Sequence, residues 1–369
     1  MGRKIAYSTL DATGIDMINI IRANAGYEYQ SLVPVVTSIT DLPKVGEIIL
    51  GYPALANQFV NALVNRIAGE VVKSHTFANV FGPLKKRDLG LGETIEEAFV
   101  GMAKAREFCP EKAPAREFAR TLPDVRAAFH VCNVDWQYAI TVQRTDLAKA
   151  FVNEQGLENM VERIINSIYR GLEYDEYLLF KYLLIKGVNS GEIYQHTIQS
   201  GLGSDATHDA AIAFRAISNK LLFLNTQYNL AGVHNNTPRE DQYIFMSADF
   251  LAQFDINVLS AAFNMDKADF MGRLIIVDAF DTFDNDRFDA IRDTTGTMEE
   301  VNSTELAAMQ NVKAIIADQE FFQYYRLGYQ TQFDEQYVRS GQYWNYFYRH
   351  SAIASTSPFS NCVAIVAGS

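Results

Sequence analysis

The longest stretch with helical spacing of apolar residues lies between Asn153 and Lys186. The opposite side of this stretch carries charged residues such as Glu158 and Arg170. This pattern predicts one long helix with a single buried face, about 45 Å in length at about 1.5 Å per residue. We expect the other elements to be arranged along it. The apolar positions are Leu157, Met160, Val161, Ile164, Ile165, Ile168 and Leu172.

Residues 1–68 predict two short helices on an extended arm. One helix is expected to end at Gly26, and the other, over 55–67, at Gly69. Between them the chain has three prolines and no sustained period. An extended arm cannot bury apolar side chains alone, so we expect them to lie on the rest of the chain or on another copy. These side chains include Val33, Val35 and Ile49.

Residues 70–108 predict a two-stranded ribbon with a turn-rich tip at Phe81–Gly92. Such a ribbon has little core of its own and is marginally stable in isolation. The tip carries the basic residues Lys85, Lys86 and Arg87. Two interpretations remain open, since these residues would either be solvated at a loop tip or contact an acidic neighbouring surface.

The remaining pattern predicts an α+β protein. Alternating apolar positions indicate two strands within 123–143, joined by a turn at 133–136. After Gly187, helices and strands alternate, which favours a central sheet with flanking helices. The aromatic tail 331–369 predicts strands that return to both parts of the chain. The expected helices are 205–224, 248–264 and 305–310, and the expected strands are 241–246, 273–278 and 312–316.

Composition indicates a folded protein of two structural units. The chain has 369 residues, of which 48% are hydrophobic. A single hydrophobic core rarely serves a chain of this length. No apolar run is long enough to span a bilayer, and the N-terminus lacks the apolar region of a secretory signal. We therefore expect a cytosolic protein, with three cysteines that form no disulfide.

Charge also restricts the function. The chain has 32 basic and 44 acidic residues and a net charge of −12. Tight binding of nucleic acid depends on a basic surface that neutralises phosphates, and this balance argues against one.

No stretch of the chain carries a specific catalytic motif. The acidic run Asp278–Asp289 has clustered carboxylates, but it lacks the glycine and ligand spacing of an EF-hand loop. The string GLGSDA at 201–206 follows a polar stretch rather than a buried strand, so a turn before a helix explains it better than dinucleotide binding. Histidines are scattered, and no zinc, phosphate-loop or serine-hydrolase motif is found. We predict no catalytic residues, no cofactor and no metal.

The order of these segments resembles the major capsid proteins of tailed bacteriophages, which have the Hong Kong 97-like fold. Several segments are most similar to head proteins of small short-tailed podoviruses. The resemblance covers roughly residues 60–369. The stretches that carry it are RAAFHVCNVDWQYAITVQRTDLAKAF (126–151), DQYIFMSADFLAQFDINVLSAAFNMD (241–266), GRLIIVDAFD (272–281) and SPFSNCVAIVA (357–367).

The resemblance implies a division of the chain into four parts. These are an N-terminal arm (1–68), an extended loop (69–105), a peripheral domain containing the long helix (106–187 and 331–355) and an axial domain (188–330 and 356–369). The arm and the loop would then lie across neighbouring subunits. The interface residues expected on this basis are Val33, Val35, Ile49, Phe77, Phe81, Leu84, Lys85, Lys86 and Arg87.

The implied function is structural. Copies of the chain would form pentamers and hexamers of an icosahedral head, assembled in the host bacterial cytoplasm with a scaffolding protein and a portal. The shell would enclose double-stranded DNA without sequence preference and would have no membrane partner. The alternatives are a nanocompartment shell with the same fold, or a cytosolic metal-dependent enzyme that uses Asp278–Asp289.

Overall fold

The computed structural model divides the chain into two compact units, each described here by itself. Unit 1 comprises Met1–Ala78, Asp135–Tyr174 and Tyr329–His350, and unit 2 comprises Asn79–Val134, Asp175–Gly328 and Ser351–Ser369. The structure describes residues 14–52, 54–59, 79–90, 93–112, 117, 119–151, 154–198, 204–253, 256–263, 265–292, 298–328 and 332–368.

Helices and strands both contribute to the fold, as the α+β prediction requires. The helices are α1 (Gly14–Asn24), α2 (Tyr27–Leu32), α3 (Leu42–Gly51), α4 (Arg144–Ala150), α5 (Glu154–Ser190), α6 (Ser204–Leu221), α7 (Ala248–Leu251), α8 (Ile256–Ala262), α9 (Lys267–Arg273), α10 (Asn285–Ile291) and α11 (Ser303–Met309). The strands are β1 (Ile95–Val100), β2 (Val125–His130), β3 (Val134–Gln143), β4 (Tyr194–Ile198), β5 (Gln242–Ser247), β6 (Leu274–Val277), β7 (Val312–Asp318), β8 (Phe322–Arg326), β9 (Gln332–Val338), β10 (Tyr343–Thr356) and β11 (Cys362–Ala367).

The long helix predicted from Asn153 to Lys186 is confirmed as α5. Its residues up to Tyr174 belong to unit 1, where Ile168 and Leu172 are buried as the apolar stripe predicts. The stripe positions before Ile168 lie outside the described side chains. In the part of the chain that the structure describes, no helix has both the length and the hydropathy needed to cross a membrane.

The prediction of an extended chain between the two arm helices is wrong, because α2 and α3 form there. Leu42, Val45 and Ile49 recur at helical spacing and are all buried. Pro43 lies in the first turn of α3, where a missing backbone N–H costs no helical hydrogen bond. The second predicted helix is described only over residues 54–59, which are helical.

The apolar side chains of the arm are buried against other parts of the same chain. This is one of the two possibilities that the sequence left open. In unit 1 its buried side chains share a hydrophobic cluster with residues of β3, α4 and β10. This cluster includes Ile18, Tyr29, Val33, Ile49, Phe59, Val142, Leu147, Phe151, Trp344 and Tyr346.

The predicted hairpin within 123–143 is also wrong, although both of its strands exist. Strand β2 pairs with β1, whereas β3 neighbours β10 in a different sheet. The Asn133 side chain fixes the junction between β2 and β3, since its amide donates to the Ala354 carbonyl at 2.7 Å and accepts from the Ala354 N–H at 2.9 Å. The polar residues at 133–136 therefore mark a change of sheet rather than a turn between paired strands.

Unit 2 contains the predicted central sheet. Its strand order is β4-β11-β7-β5-β6, with parallel pairs β4/β11 and β5/β6 and antiparallel pairs elsewhere. The predicted strands near 241–246, 273–278 and 312–316 are β5, β6 and β7. The predicted helix at 248–264 is instead two short helices, α7 and α8. Helices and strands share a core that includes Phe214, Ile244, Phe263, Phe270, Ile316 and Ile365.

Candidate subunit interface

The arm residues predicted at a subunit interface differ in accessibility. Val33 and Ile49 are fully buried within unit 1, whereas 54% of Val35 is exposed. Within one chain, Val35 is therefore the one of the three that is available to a neighbour. Contact between any of them and another subunit stays a prediction.

The segment expected as the tip of the ribbon lies inside unit 2. Phe81 is fully buried, with ring centroids 5.1 Å from Phe180 and 5.7 Å from Tyr177. Leu84 is also buried, and Phe77 lies outside the described residues. Phe81 and Leu84 explain why this segment is buried instead of forming a solvated tip, since large apolar side chains favour the interior.

The basic residues of this segment contact acidic residues of their own chain. Lys85 forms an ion pair with the buried carboxylate of Glu176. Lys86 Nζ lies 2.7 Å from a Glu320 carboxylate oxygen. The expected acidic partners therefore occur within unit 2, and a contact with an adjacent subunit stays a prediction.

The third basic residue forms an exposed pair. Arg87 donates to Glu93 at 2.9 Å, and the Gly90 N–H donates to the same oxygen at 2.8 Å. The Gly90 and Arg87 hydrogen bonds hold the pKa of the Glu93 carboxyl below its usual value. This turn is organised locally, at the start of the chain that leads into β1.

The ribbon itself is formed by β1 and β2. Their antiparallel register pairs Ile95 with His130 and Val100 with Val125. Strand β1 corresponds to the second of the two extended runs predicted within 70–108. Its partner is β2, which comes later in the chain, and not the first predicted run. Residues 101–124 join the two strands in sequence, and we call their described part, 101–112, 117 and 119–124, the distal loop.

One face of the ribbon contacts the rest of unit 2 through polar groups and one aromatic pair. Glu97 accepts a hydrogen bond from Gln323 at 2.7 Å, and His130 Nδ1 shares one with the Ser355 hydroxyl at 2.6 Å. The Phe99 and Phe359 rings stack with centroids 5.8 Å apart. Alternation along a strand places the intervening residues on the opposite face.

The opposite face is apolar and exposed. Opposed residues in an antiparallel pair point to the same side, so the register groups one set of exposed residues on this face. Only one of them is charged. We define this set as the outer ribbon face: Glu96, Ala98, Val100, Val125, Ala127 and Phe129.

The sequence contained the signal for this face. Val125, Ala127 and Phe129 alternate and predict a strand with one apolar side, but the single chain leaves that side uncovered, with Phe129 70% exposed. The distal loop adds Phe108 at 91% and Leu122 at 82% exposure. Sequence reasoning proposed residues of the arm and of 77–87 for the interface and did not include these residues, because it expected the ribbon tip earlier in the chain.

Carboxylates of the acidic run have protein partners in the structure. Asp278 accepts hydrogen bonds from Tyr177 and from the Lys181 ammonium, the latter at 2.8 Å. Asp284 caps α10 by accepting from the Arg287 N–H at 3.1 Å. Among the described residues, no group of His, Cys, Asp and Glu side chains has the arrangement to hold a metal ion. The glycines of GLGSDA lie outside the described residues, just before α6.

Comparison with known proteins identifies what the chain resembles. A family model described as Phi29-like phage major capsid protein matches residues 18–366. The major capsid protein of Bacillus phage B103 is 30% identical over 96% of this chain and 73% of its own length. That of Streptococcus phage Cp-1 is 27% identical over 95% of this chain and 93% of its own length.

A solved structure gives the same result for the fold. The capsid structure of Staphylococcus phage Andhra superimposes with a TM-score of 0.61, at 14% identity, over 81% of this chain and 87% of that chain. The expected Hong Kong 97-like fold is therefore confirmed.

Proposed function

Because the chain belongs to the Phi29-like phage major capsid protein family and so forms the shell of a phage head, we propose that it assembles mainly through its outer ribbon face. Copies of the chain are its principal partners, arranged as pentamers and hexamers. A scaffolding protein and a portal take part during assembly in the host bacterial cytoplasm. The role is structural and needs no catalytic group.

The observation that carries this proposal is the uncovered apolar face of β1 and β2. A two-stranded ribbon gains little stability alone, and apolar faces left open on a folded chain mark interaction sites. Burial of a phenylalanine such as Phe129 contributes about 1.5 to 3 kcal/mol per contact. Repetition of such a contact over a closed shell gives a stable assembly from individually weak interfaces.

The same proposal assigns parts of the chain to domains. We propose an N-terminal arm at 1–68, an extended loop that starts near residue 69 and continues through β2 at Val125–His130, and peripheral and axial domains formed by the rest. The axial domain would contain the five-stranded sheet. We extend the proposed loop beyond residue 105, because β1 pairs with β2.

The charge of the chain supports enclosure of DNA rather than its recognition. A net charge of −12 makes the average surface repel phosphate groups. We propose that the packaged double-stranded DNA is held without sequence-specific contacts, so that its packing and release are not opposed by tight binding to the shell.

The variant Phe129→Asp tests the role of the outer ribbon face. Since Phe129 is 70% exposed, the soluble subunit should unfold at an unchanged denaturant midpoint. The yield of closed particles in negative-stain micrographs should fall at least about tenfold, because each contact loses an apolar group and gains a charge. Ile212→Asp, at a residue 54% exposed on α6, provides the matched control. An undiminished particle yield from Phe129→Asp would contradict the proposal.

A further inference from the structure

The two faces of the ribbon formed by β1 and β2 have different surroundings. The outer ribbon face is exposed in one chain, whereas the residues that alternate with it lie on the opposite side. The register places one end of this second set at Ile95 and His130, which we call the root, and the other at Phe99 and Arg126, which we call the far end. We define the whole set as the inner ribbon face: Ile95, Glu97, Phe99, Arg126, Ala128 and His130.

The chain is fixed on both sides of the root. Before β1, the Leu89 N–H donates to the Arg326 carbonyl at 2.8 Å, and Leu89 forms a parallel bridge with Leu327. After β2, the two hydrogen bonds between Asn133 and Ala354 fix the chain again. A two-stranded ribbon with a fixed root keeps one large motion, a swing of its far end toward or away from the rest of unit 2.

Near the root, buried polar groups attach the inner ribbon face. His130 is 8% exposed, and its Nδ1 shares a hydrogen bond of 2.6 Å with the Ser355 hydroxyl. Glu97 accepts from the Gln323 side chain at 2.7 Å, and its second carboxylate oxygen lies 3.3 Å from His130 Nε2. A buried polar group that loses its hydrogen bond keeps its desolvation cost, so these contacts resist separation of the root from unit 2.

Toward the far end, the contacts are an aromatic pair and a hydrogen bond from an arginine. The Phe99 ring stacks on Phe359, with centroids 5.8 Å apart and an angle of 23° between the ring planes. Phe359 is only 9% exposed, so separation of the two rings would expose apolar surface to water. Arg126 donates to the Ala231 carbonyl at 2.5 Å. Both contacts therefore oppose the swing of the far end.

We propose that the inner ribbon face positions the outer ribbon face for assembly, so that the ribbon stays attached to its own subunit before and after a neighbour binds. The two faces can act together, because one contacts groups of its own chain while the other keeps its apolar residues open. A binding surface that is already ordered lowers the cost of association. This role rests on the proposed assembly through the outer ribbon face, and Phe99 is its main positioning residue.

The variant Phe99→Ala tests this role in the free subunit and in assembly. Hydrogen exchange of the amides in β1 and β2 should rise at least about tenfold, while exchange in β5 and β7 stays unchanged. The critical concentration for particle formation should rise at least about tenfold, because each association step must then order the ribbon. Phe99→Tyr keeps a ring that can stack on Phe359 and should restore both values of the unmodified chain. Unchanged exchange or an unchanged critical concentration in Phe99→Ala would overturn the proposal.

A covalent tether distinguishes a ribbon that stays attached from one that must leave. Phe99→Cys and Phe359→Cys are combined with Cys109→Ser and Cys132→Ser, while the buried Cys362 is retained. Free subunits are linked with a short bifunctional maleimide, and each single-cysteine variant treated with the same reagent controls for its bulk. The linked subunit should assemble at a critical concentration about tenfold below that of either control, because the tether replaces the lost contact.

The outcomes separate this inference from the proposed function. Linked subunits that form no particles, or assemble no better than the single-cysteine controls, would overturn the positioning role, since the ribbon must then leave unit 2 on assembly. The shell function would stand in that case. Failure of the unmodified chain to form any particle would contradict the shell function itself, whereas hydrogen exchange of the free subunits would still show whether Phe99 attaches the ribbon.

Discussion

At the residue scale, unit 2 contains an ion pair whose acidic member is buried. Arg287 donates to Asp175, whose side chain is 1% exposed, with one of the two contacts at 3.0 Å. A buried carboxylate that loses its cationic partner keeps its desolvation cost with less compensation. We therefore expect Arg287→Ala to lower the free energy of unfolding of the subunit by about 3 to 5 kcal/mol.

An exposed pair provides the control for this prediction. Arg349 donates to Asp135 at 2.8 Å, but both side chains are about half exposed. Arg349→Ala should cost less than about 1 kcal/mol, because water screens and replaces the interaction. Urea unfolding of the two variants measures the difference. If both variants lost the same free energy of unfolding, the burial of Asp175 would not determine the size of the loss.

Asp278 gives a dependence of stability on pH. Burial raises the pKa of this carboxyl, but hydrogen bonds from Lys181 and Tyr177 outweigh that effect and hold it below its usual 3.8. Its contribution to stability is thus fully present above the unfolded value of 3.8 and is lost as pH falls through the lower pKa of the folded state. The Lys181 ammonium, 2% exposed, depends on this partner.

We expect Asp278→Asn to lower the free energy of unfolding by about 1 kcal/mol at about pH 7. The buried Lys181 ammonium loses its counter-ion, but the Asp278 side chain is 59% exposed and water screens part of the interaction. The deficit should shrink as pH falls below about 3.8, because the unmodified chain loses the same contribution there. Asp286→Asn, at an exposed residue of α10, should follow the unmodified chain. A deficit that stays constant with pH would contradict the assignment.

At the element scale, the arm belongs to the core of unit 1, and Gly46 shows how closely α3 packs. A Cβ added at Gly46 would lie 2.8 Å from the Cβ of Phe151. Gly46→Ala should therefore destabilise the subunit by about 1 to 3 kcal/mol through overpacking, despite the better helix propensity of alanine. Gly51→Ala, with no atom within 4 Å of the added Cβ, should be nearly neutral. Equal unfolding midpoints would mean that the arm leaves this site in the free subunit.

Local periodicity predicted most elements but not their pairing. The long helix α5 and the strands β5, β7 and β11 follow from spacing of apolar residues within each segment. The partner of β1 does not, because strand pairing is a non-local contact that depends on which faces the rest of the chain covers. Helix α3 was missed for a different reason, since three prolines around it suggested an extended chain although Pro43 occupies a first turn.

The sequence predicted that the candidate interface is apolar, but it did not predict which residues form it. The sequence indicated apolar segments that one chain could not cover, and the outer ribbon face is such a segment. It also indicated Phe81 and Leu84, which the same chain does cover. No feature of a sequence distinguishes an apolar strand face buried by its own chain from one left for a neighbour, because both alternate in the same way.

At the scale of the whole molecule, we infer a subunit that buries its remaining apolar surface only on assembly. The central sheet of unit 2 and the hydrophobic cluster of unit 1 give each unit its own core, whereas the outer ribbon face and Val35 of the arm stay exposed in one chain. In a symmetric shell, the same exposed apolar residues of every copy can contribute a weak interface, and many such interfaces together hold the assembly.

Electron microscopy of the purified full chain, expressed alone and with its scaffolding protein, tests the central claim most directly. The account predicts closed particles, or tubes and sheets built from hexameric rings, and the loss of these on Phe129→Asp. A monodisperse dimer or tetramer that never assembles under either condition would contradict it.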